Sequence, residues 1–298
     1  MISRKLYIIG NGFDLWHGIP SSYGKFKEFV LANDRDVFED VEEYLPAGDM
    51  WGDLEAALAD IDIDQVVDNL GHYMVSYGAD DWSDSGHHDF PYEVEQVVTR
   101  LSKKLRVLFG KWIRQLAIPT AASAPRRLRS LDPSGTFLTF NYTATLRETY
   151  DVPDAHVLHI HGRADQPQSE LVLGHAWNPK SRRSLNDRSD VEDIDTRLMQ
   201  AHDILDDYFS QTFKPTGRLI QEHRDFFESL RDTKEVTVLG HSLADVDAAY
   251  FKAILAVSGL SAATWTLACL DDHEEKSNRL QALGVNAAYI KTVIWDNL

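Results

Sequence analysis

Five short runs of aliphatic and β-branched residues punctuate the chain: Leu6–Ile9, Thr136–Phe140, Val157–Ile160, Glu235–Leu239 and Thr264–Leu270. Their apolar positions are continuous rather than alternating, the pattern of strands covered on both faces, as in a parallel sheet with helices on each side. The first, second and fourth lead into Gly or Asn and then a helix-like stretch, which is the βα rhythm of a doubly wound fold. The predicted fold class is therefore α/β, a Rossmann-like parallel sheet flanked by helices.

About a hundred residues between the first two runs lack strand character. Within them "MWGDLEAALADIDIDQVVDNLGHYM" and "VEQVVTRLSKKLRVLFGKWIRQLA" place apolar residues at helical spacing. The pattern predicts a helical insertion at about 35–130 after the first βα unit of a single domain spanning 1–298. Leu101, Leu105, Leu108 and Trp112 form one apolar stripe expected in its core, as are Trp51 and Leu54 of "WGDLEAAL". The polar stretches 76–93, which carries His87-His88, and 178–193 read as loops bordering the site or a partner surface.

Charge and cysteine content narrow the partners. With 30 Lys+Arg against 47 Asp+Glu the net charge is −17, which argues against direct binding of a nucleic-acid backbone or an anionic membrane. A single cysteine, Cys269, excludes an internal disulfide and a multi-cysteine zinc site. No segment approaches the roughly 18 apolar residues of a membrane span, so a cytoplasmic protein is expected.

Candidate chemistry gathers where the predicted strands end. The first delivers Gly10, Asn11, Gly12 and Asp14; the second Asn141, Tyr142 and Thr143; the third His159, His161 and Gly162; the fourth Gly240, His241, Ser242, Asp245 and Asp247. Open α/β sheets bind ligands at that carboxyl edge. A Gly-x-Gly turn lets backbone amides approach a phosphate, yet Leu15 stands where a dinucleotide fingerprint has its third glycine, which argues against an ordinary NAD-dependent dehydrogenase.

The set and its spacing resemble the sirtuin-type NAD-binding fold. Gly10-x-Gly12 is followed by Gly18-Ile19-Pro20, Phe140-Asn141 is similar to that fold's Gln-Asn strand end, His161-Gly162 to its catalytic His-Gly, and Gly240-x-Ser242-Leu243 to its later Gly-Thr-Ser turn. More closely still, "IIGNGFDLWHGIPSSY", "WGDLEAAL", "FNYTATL", "HIHG", "LGHAWN", "FKPT" and "GHSLADVDAAYF" resemble the bacteriophage abortive-infection AbiH family. The resemblance implies an anti-phage defence effector on a sirtuin-like scaffold that hydrolyses NAD at the nicotinamide–ribose bond when triggered.

In that chemistry His161 is the base and Asn141 holds the ribose or the attacking water. Gly10, Asn11 and Gly12 cradle the pyrophosphate, Gly240, His241 and Ser242 close its other side, and Gly18-Ile19-Pro20 turns the next loop over the ligand, with Thr143 and Gly162 beside it. Asp14 has no sirtuin counterpart and leaves two alternatives, contact with a ribose or a ligand other than NAD, while Thr143 replaces a sirtuin aspartate, Ser21-Ser22-Tyr23 replaces Asp-Phe-Arg, and the zinc cysteines are absent, which argues against protein deacetylation. The expected ligand is NAD, with no metal; the expected partners are a small-molecule nucleotide, a phage-derived trigger or regulatory protein, and a second copy of the chain.

Two other functions stay open on the same residues. One is a sensor that binds NAD or ADP-ribose without catalysis. The other is a metal-dependent nuclease or phosphohydrolase using Asp14, His161, His175, His241 and Asp245. His175 fits either a second site or a loop anchor, and Lys214 of "FKPTG" either an anion or partner contact or a solvated lysine.

Overall fold

The computed structural model describes residues 5–75, 86–188, 194–269, 273–295 and 298. The chain divides into two compact units, one formed by 1–22, 110–172 and 215–298 and the other by 23–109 and 173–214.

The first unit carries the sheet. Among the described residues six strands, β1 (Lys5–Ile9), β2 (Thr136–Thr139), β3 (Val157–His159), β4 (Glu235–Leu239), β5 (Thr264–Cys269) and β6 (Ile290–Ile294), form one sheet in the order β3-β2-β1-β4-β5-β6. Every neighbouring pair is parallel. The five expected runs are thus the first five strands within a residue or so, although Leu270 lies outside the described residues. β6 was not expected: it is an edge strand whose Lys291, Thr292 and Ile294 face solvent, so the apolar continuity of the inner strands is missing.

Continuous apolar runs arise because both sheet faces are covered. Leu6, Ile8, Leu138, Val236, Val238, Trp265 and Leu267 pack into one core with Tyr250, Phe251 and Ile254 of the helix Ala248–Ala256. Tyr7, Ile9, Phe137, Leu239 and Ala268 alternate onto the other face, against Phe13 and Trp16 of the helix Asn11–Trp16 and Leu146 and Tyr150 of the helix Thr145–Tyr150. Burial of each large apolar side chain contributes about 1.5–3 kcal/mol, and this two-sided covering holds the carboxyl ends of β1, β2 and β4 in register.

The second unit is helical. Helices Tyr23–Asn33, Arg35–Tyr44 and Ile63–Leu70 lie in its first segment, followed by Asp89–Thr99, a π-helical turn at Arg100–Lys104 and the helix starting at Leu105. Asp34 and Asp62 cap two of them, accepting from the Val37 and Gln65 amides. Leu101, Leu105 and Leu108 of the expected stripe are buried in this unit, as are Trp51 and Leu54; Trp112, the stripe's last member, belongs to the first unit and is buried as well.

Three features differ from the sequence expectation. Helix begins at Tyr23, ahead of position 35, and residues Asp89–Glu93 of the expected loop 76–93 are helical, while 76–85 lie outside the described residues. Residues 173–214, including the 16-residue helix Thr196–Gln211, belong to the helical unit. Of the expected loop 178–193, the portion 189–193 is outside the described residues; the rest is fastened by Asp206, which accepts from Ser184 Oγ at 2.7 Å and the Leu185 amide at 3.0 Å.

Candidate functional site

The turn after β1 is built against the turn after β4. The Gly10 amide donates to the Leu239 carbonyl at 3.0 Å and the Gly12 amide to the Gly240 carbonyl at 2.8 Å. Gly240 adopts φ +67°, and a Cβ there would meet the Phe13 nitrogen at 2.3 Å. Only glycine allows two backbones to approach this closely in that conformation. Two of the three amides offered to a pyrophosphate by the Gly-Asn-Gly motif, those of Gly10 and Gly12, are therefore engaged within the protein, and the glycines have a packing reason of their own.

Gly18-Ile19-Pro20 ends the first helix. Gly18 takes φ +80°, the Ile19 amide returns to the Asp14 carbonyl at 3.0 Å, and the chain folds back so that Asn11 and Ser21 bond reciprocally, at 2.9 Å to the Ser21 carbonyl and 2.5 Å from its hydroxyl. Ile19 is buried, whereas Asn11, Gly18, Pro20 and Ser242 are exposed.

Asp14 reaches β2 rather than an open surface. Only 1 % exposed, its carboxylate accepts from Thr143 Oγ1 at 2.6 Å and Thr145 Oγ1 at 2.7 Å. Burial without a cation raises its pKa to about 6, opposed by hydrogen bonds from Thr143, Thr145 and Asn141. Asp14 and Thr143, two of the departures from the sirtuin pattern, are thus bonded to each other. The Asn141 amide is pinned by the Gly10 carbonyl at 3.1 Å, and His159 Nδ1 donates to the Asn141 carbonyl at 3.1 Å. Burial lowers the His159 pKa to about 4, so that ring is neutral at pH 7.

His161 and His241 come together at Asp247. His161 Nε2 lies 3.8 Å from Asp247 Oδ1, and His241 Nε2 lies 3.4 Å from Oδ2. All three are buried, between Phe140, whose ring centroid is 5.3 Å from His161 and 4.3 Å from His241, and Tyr250, 5.5 Å from His161. Asp247 is the member that sequence reasoning left out of its site; Asp245, chosen instead for the metal reading, is exposed. The available signal was the position of Asp247 immediately before the helix Ala248–Ala256, which buries Tyr250, Phe251 and Ile254.

His175 and Lys214 belong to the helical unit. His175 Nε2 donates to the Phe209 carbonyl at 3.0 Å and its own carbonyl accepts from the Lys214 amide at 2.8 Å, which makes it a loop anchor. Lys214 is fully buried and pairs with Glu55 of "WGDLEAAL" at 2.5 Å, so it is neither a solvated lysine nor open to an anion. Among the described residues no group of three or more His, Cys, Asp or Glu is arranged to hold a metal ion.

Fold and site together define a parallel α/β protein with a buried histidine–carboxylate cluster at the carboxyl edge of its sheet. The chain belongs to the bacteriophage abortive infection AbiH family, whose model matches residues 6–269. No curated protein and no solved structure matched it. Family membership places it in phage abortive-infection defence. Among the described residues no helix is long and apolar enough to cross a membrane.

Proposed function

We propose that the carboxyl edge around β1 and β4 is a nucleotide site at which this defence protein, once triggered by infection, hydrolyses NAD at the nicotinamide–ribose bond. One observation carries the reading. The strand order β3-β2-β1-β4-β5-β6 reverses direction between β1 and β4, the crevice where open α/β sheets of this order take dinucleotides, and the cluster of Asn141, His161, His241 and Asp247 lies along that edge. The sirtuin-like spacing of Gly10, Asn141, His161 and Gly240 supports the same ligand.

NAD and water give ADP-ribose, nicotinamide and a proton. As nicotinamide leaves, positive charge builds on the ribose, and the attacking water must lose its proton to a base. His161 would accept it, and Asn141, oriented by the Gly10 carbonyl, would hold the ribose or the water. Since Asn141, His161, His241 and Asp247 are all buried, a phage-derived signal or a regulatory protein would have to open the site, which is the restraint a toxic activity needs.

Nicotinamide release by the purified protein, with and without phage lysate, tests the reading. Release by the wild type that His161→Ala and Asn141→Ala both abolish is the expected result. Calorimetric binding of NAD or ADP-ribose without release under any condition would replace it with the sensor, and no nucleotide binding at all would overturn both.

A further inference from the structure

We infer that Asp247 is a positioning residue of this site, holding His161 and His241 on one carboxylate so that His161 can carry positive charge in an apolar enclosure. The inference rests on the reading of His161 as a proton acceptor. It begins at His241, whose Nδ1 accepts the Leu243 amide at 2.9 Å. A backbone amide can only donate, so the neutral His241 ring carries its proton on Nε2, the nitrogen that faces Asp247 Oδ2 at 3.4 Å.

The turn that makes this bond is strained. Leu243 has φ +56°, a left-handed conformation that disfavours a non-glycine residue by roughly 1–2 kcal/mol. Its consequence is a histidine locked in one tautomer and a carboxylate steered by it.

The other carboxylate oxygen faces His161 Nε2 at 3.8 Å, beyond hydrogen-bond length and within ion-pair reach. A neutral His161 gains little at that distance. An imidazolium gains much more, because the buried pair lies beside the Phe140 and Tyr250 rings, where the attraction is screened less than in water. The titratable groups facing His161 are Asp247 and Tyr250 from the segment that opens and forms the helix Ala248–Ala256, Tyr142 from the turn after β2 with ring centroids 6.2 Å apart, and, across the shared carboxylate, His241 from the turn after β4. Asp247 is the acid among these groups, and its carboxylate favours the charged form of His161.

The test is a histidine side-chain ¹⁵N NMR titration of the full chain, with the two resonances assigned by their loss in His161→Gln and His241→Gln. In the wild type His241 is expected as the Nε2–H tautomer; an Nδ1–H tautomer overturns the proposal without any Asp247 variant. In Asp247→Asn, shown to be folded by circular dichroism, the His161 titration midpoint is expected to fall by about one to three pH units, the range an adjacent opposite charge confers. An unmoved midpoint overturns it. Should the wild type release nicotinamide, the acidic limb of the Asp247→Asn rate profile should move with the midpoint. Should it release none, the NMR result still decides the role of Asp247 while the glycohydrolase reading fails separately.

Discussion

The two units bury charge in opposite ways. In the helical unit three buried or half-buried cations among the described residues meet a carboxylate directly: Lys214 with Glu55 at 2.5 Å, Arg197 with Asp195 at 2.6 Å, Arg100 with Asp40 at 2.5 Å. At the carboxyl edge of the sheet Asp14 is held by two threonine hydroxyls, and two imidazoles share Asp247 at 3.4 Å and 3.8 Å. A close ion pair fixes a charge state and serves structure. Asp14, held by hydroxyl groups in a buried place, has its pKa raised to about 6, so its protonation state can change near neutrality.

Gly240→Ala should break the edge most severely. Its Cβ would overlap backbone at 2.3 Å in a φ +67° conformation, so a loss above about 3 kcal/mol is expected from strain and displaced packing together, read as a large fall in Tm or an unfolded product. Lys214→Ala should destabilise by about 3 kcal/mol in denaturant unfolding, because it strands a partly buried Glu55. The paired change Lys214→Met with Glu55→Gln should recover to within about 1 kcal/mol of the wild type, as a structural pair allows.

Asp14 should give a pH dependence that the close ion pairs do not. Its folded pKa is raised from 3.8 to about 6, so between those values the folded state holds more protons than the unfolded one and stability falls as pH rises. The full effect is about 3 kcal/mol, lost between about pH 4 and pH 6. Unfolding of Asp14→Asn beside the wild type at pH 4 and pH 7 should show the variant's relative stability improving by that amount. Arg35→Ala, which removes an exposed pair with Glu39, should change stability by less than about 0.5 kcal/mol, the smallest effect of the set.

Much of the fold could be read from the chain because strands covered on both faces must be continuously apolar, and β1 to β5 are. β6 escaped because an edge strand with Lys291 and Thr292 need not be. The gathering of polar residues at one sheet edge was legible as strand ends, since the polar residues after Ile9, Phe140, Ile160 and Leu239 follow parallel strands that end on the same side. What local sequence could not supply was pairing across the edge. That Asp14 meets Thr143 and Thr145, or that Asp247 rather than Asp245 turns toward the two histidines, depends on contacts between segments over a hundred residues apart in one case and on helix phase in the other. Lys214 and Glu55 show the same limit: two motifs 159 positions apart are one buried pair.

The central claim, that the polar edge of the sheet is where this AbiH protein acts in defence, is tested most directly by NAD content in infected cells. Cultures expressing the wild type or His161→Ala at equal levels would be challenged with a phage against which the wild type protects, and NAD measured through one infection cycle. The account predicts collapse of NAD in the wild type before lysis and none in the variant, with loss of protection. Undiminished NAD in protected wild-type cultures would contradict it.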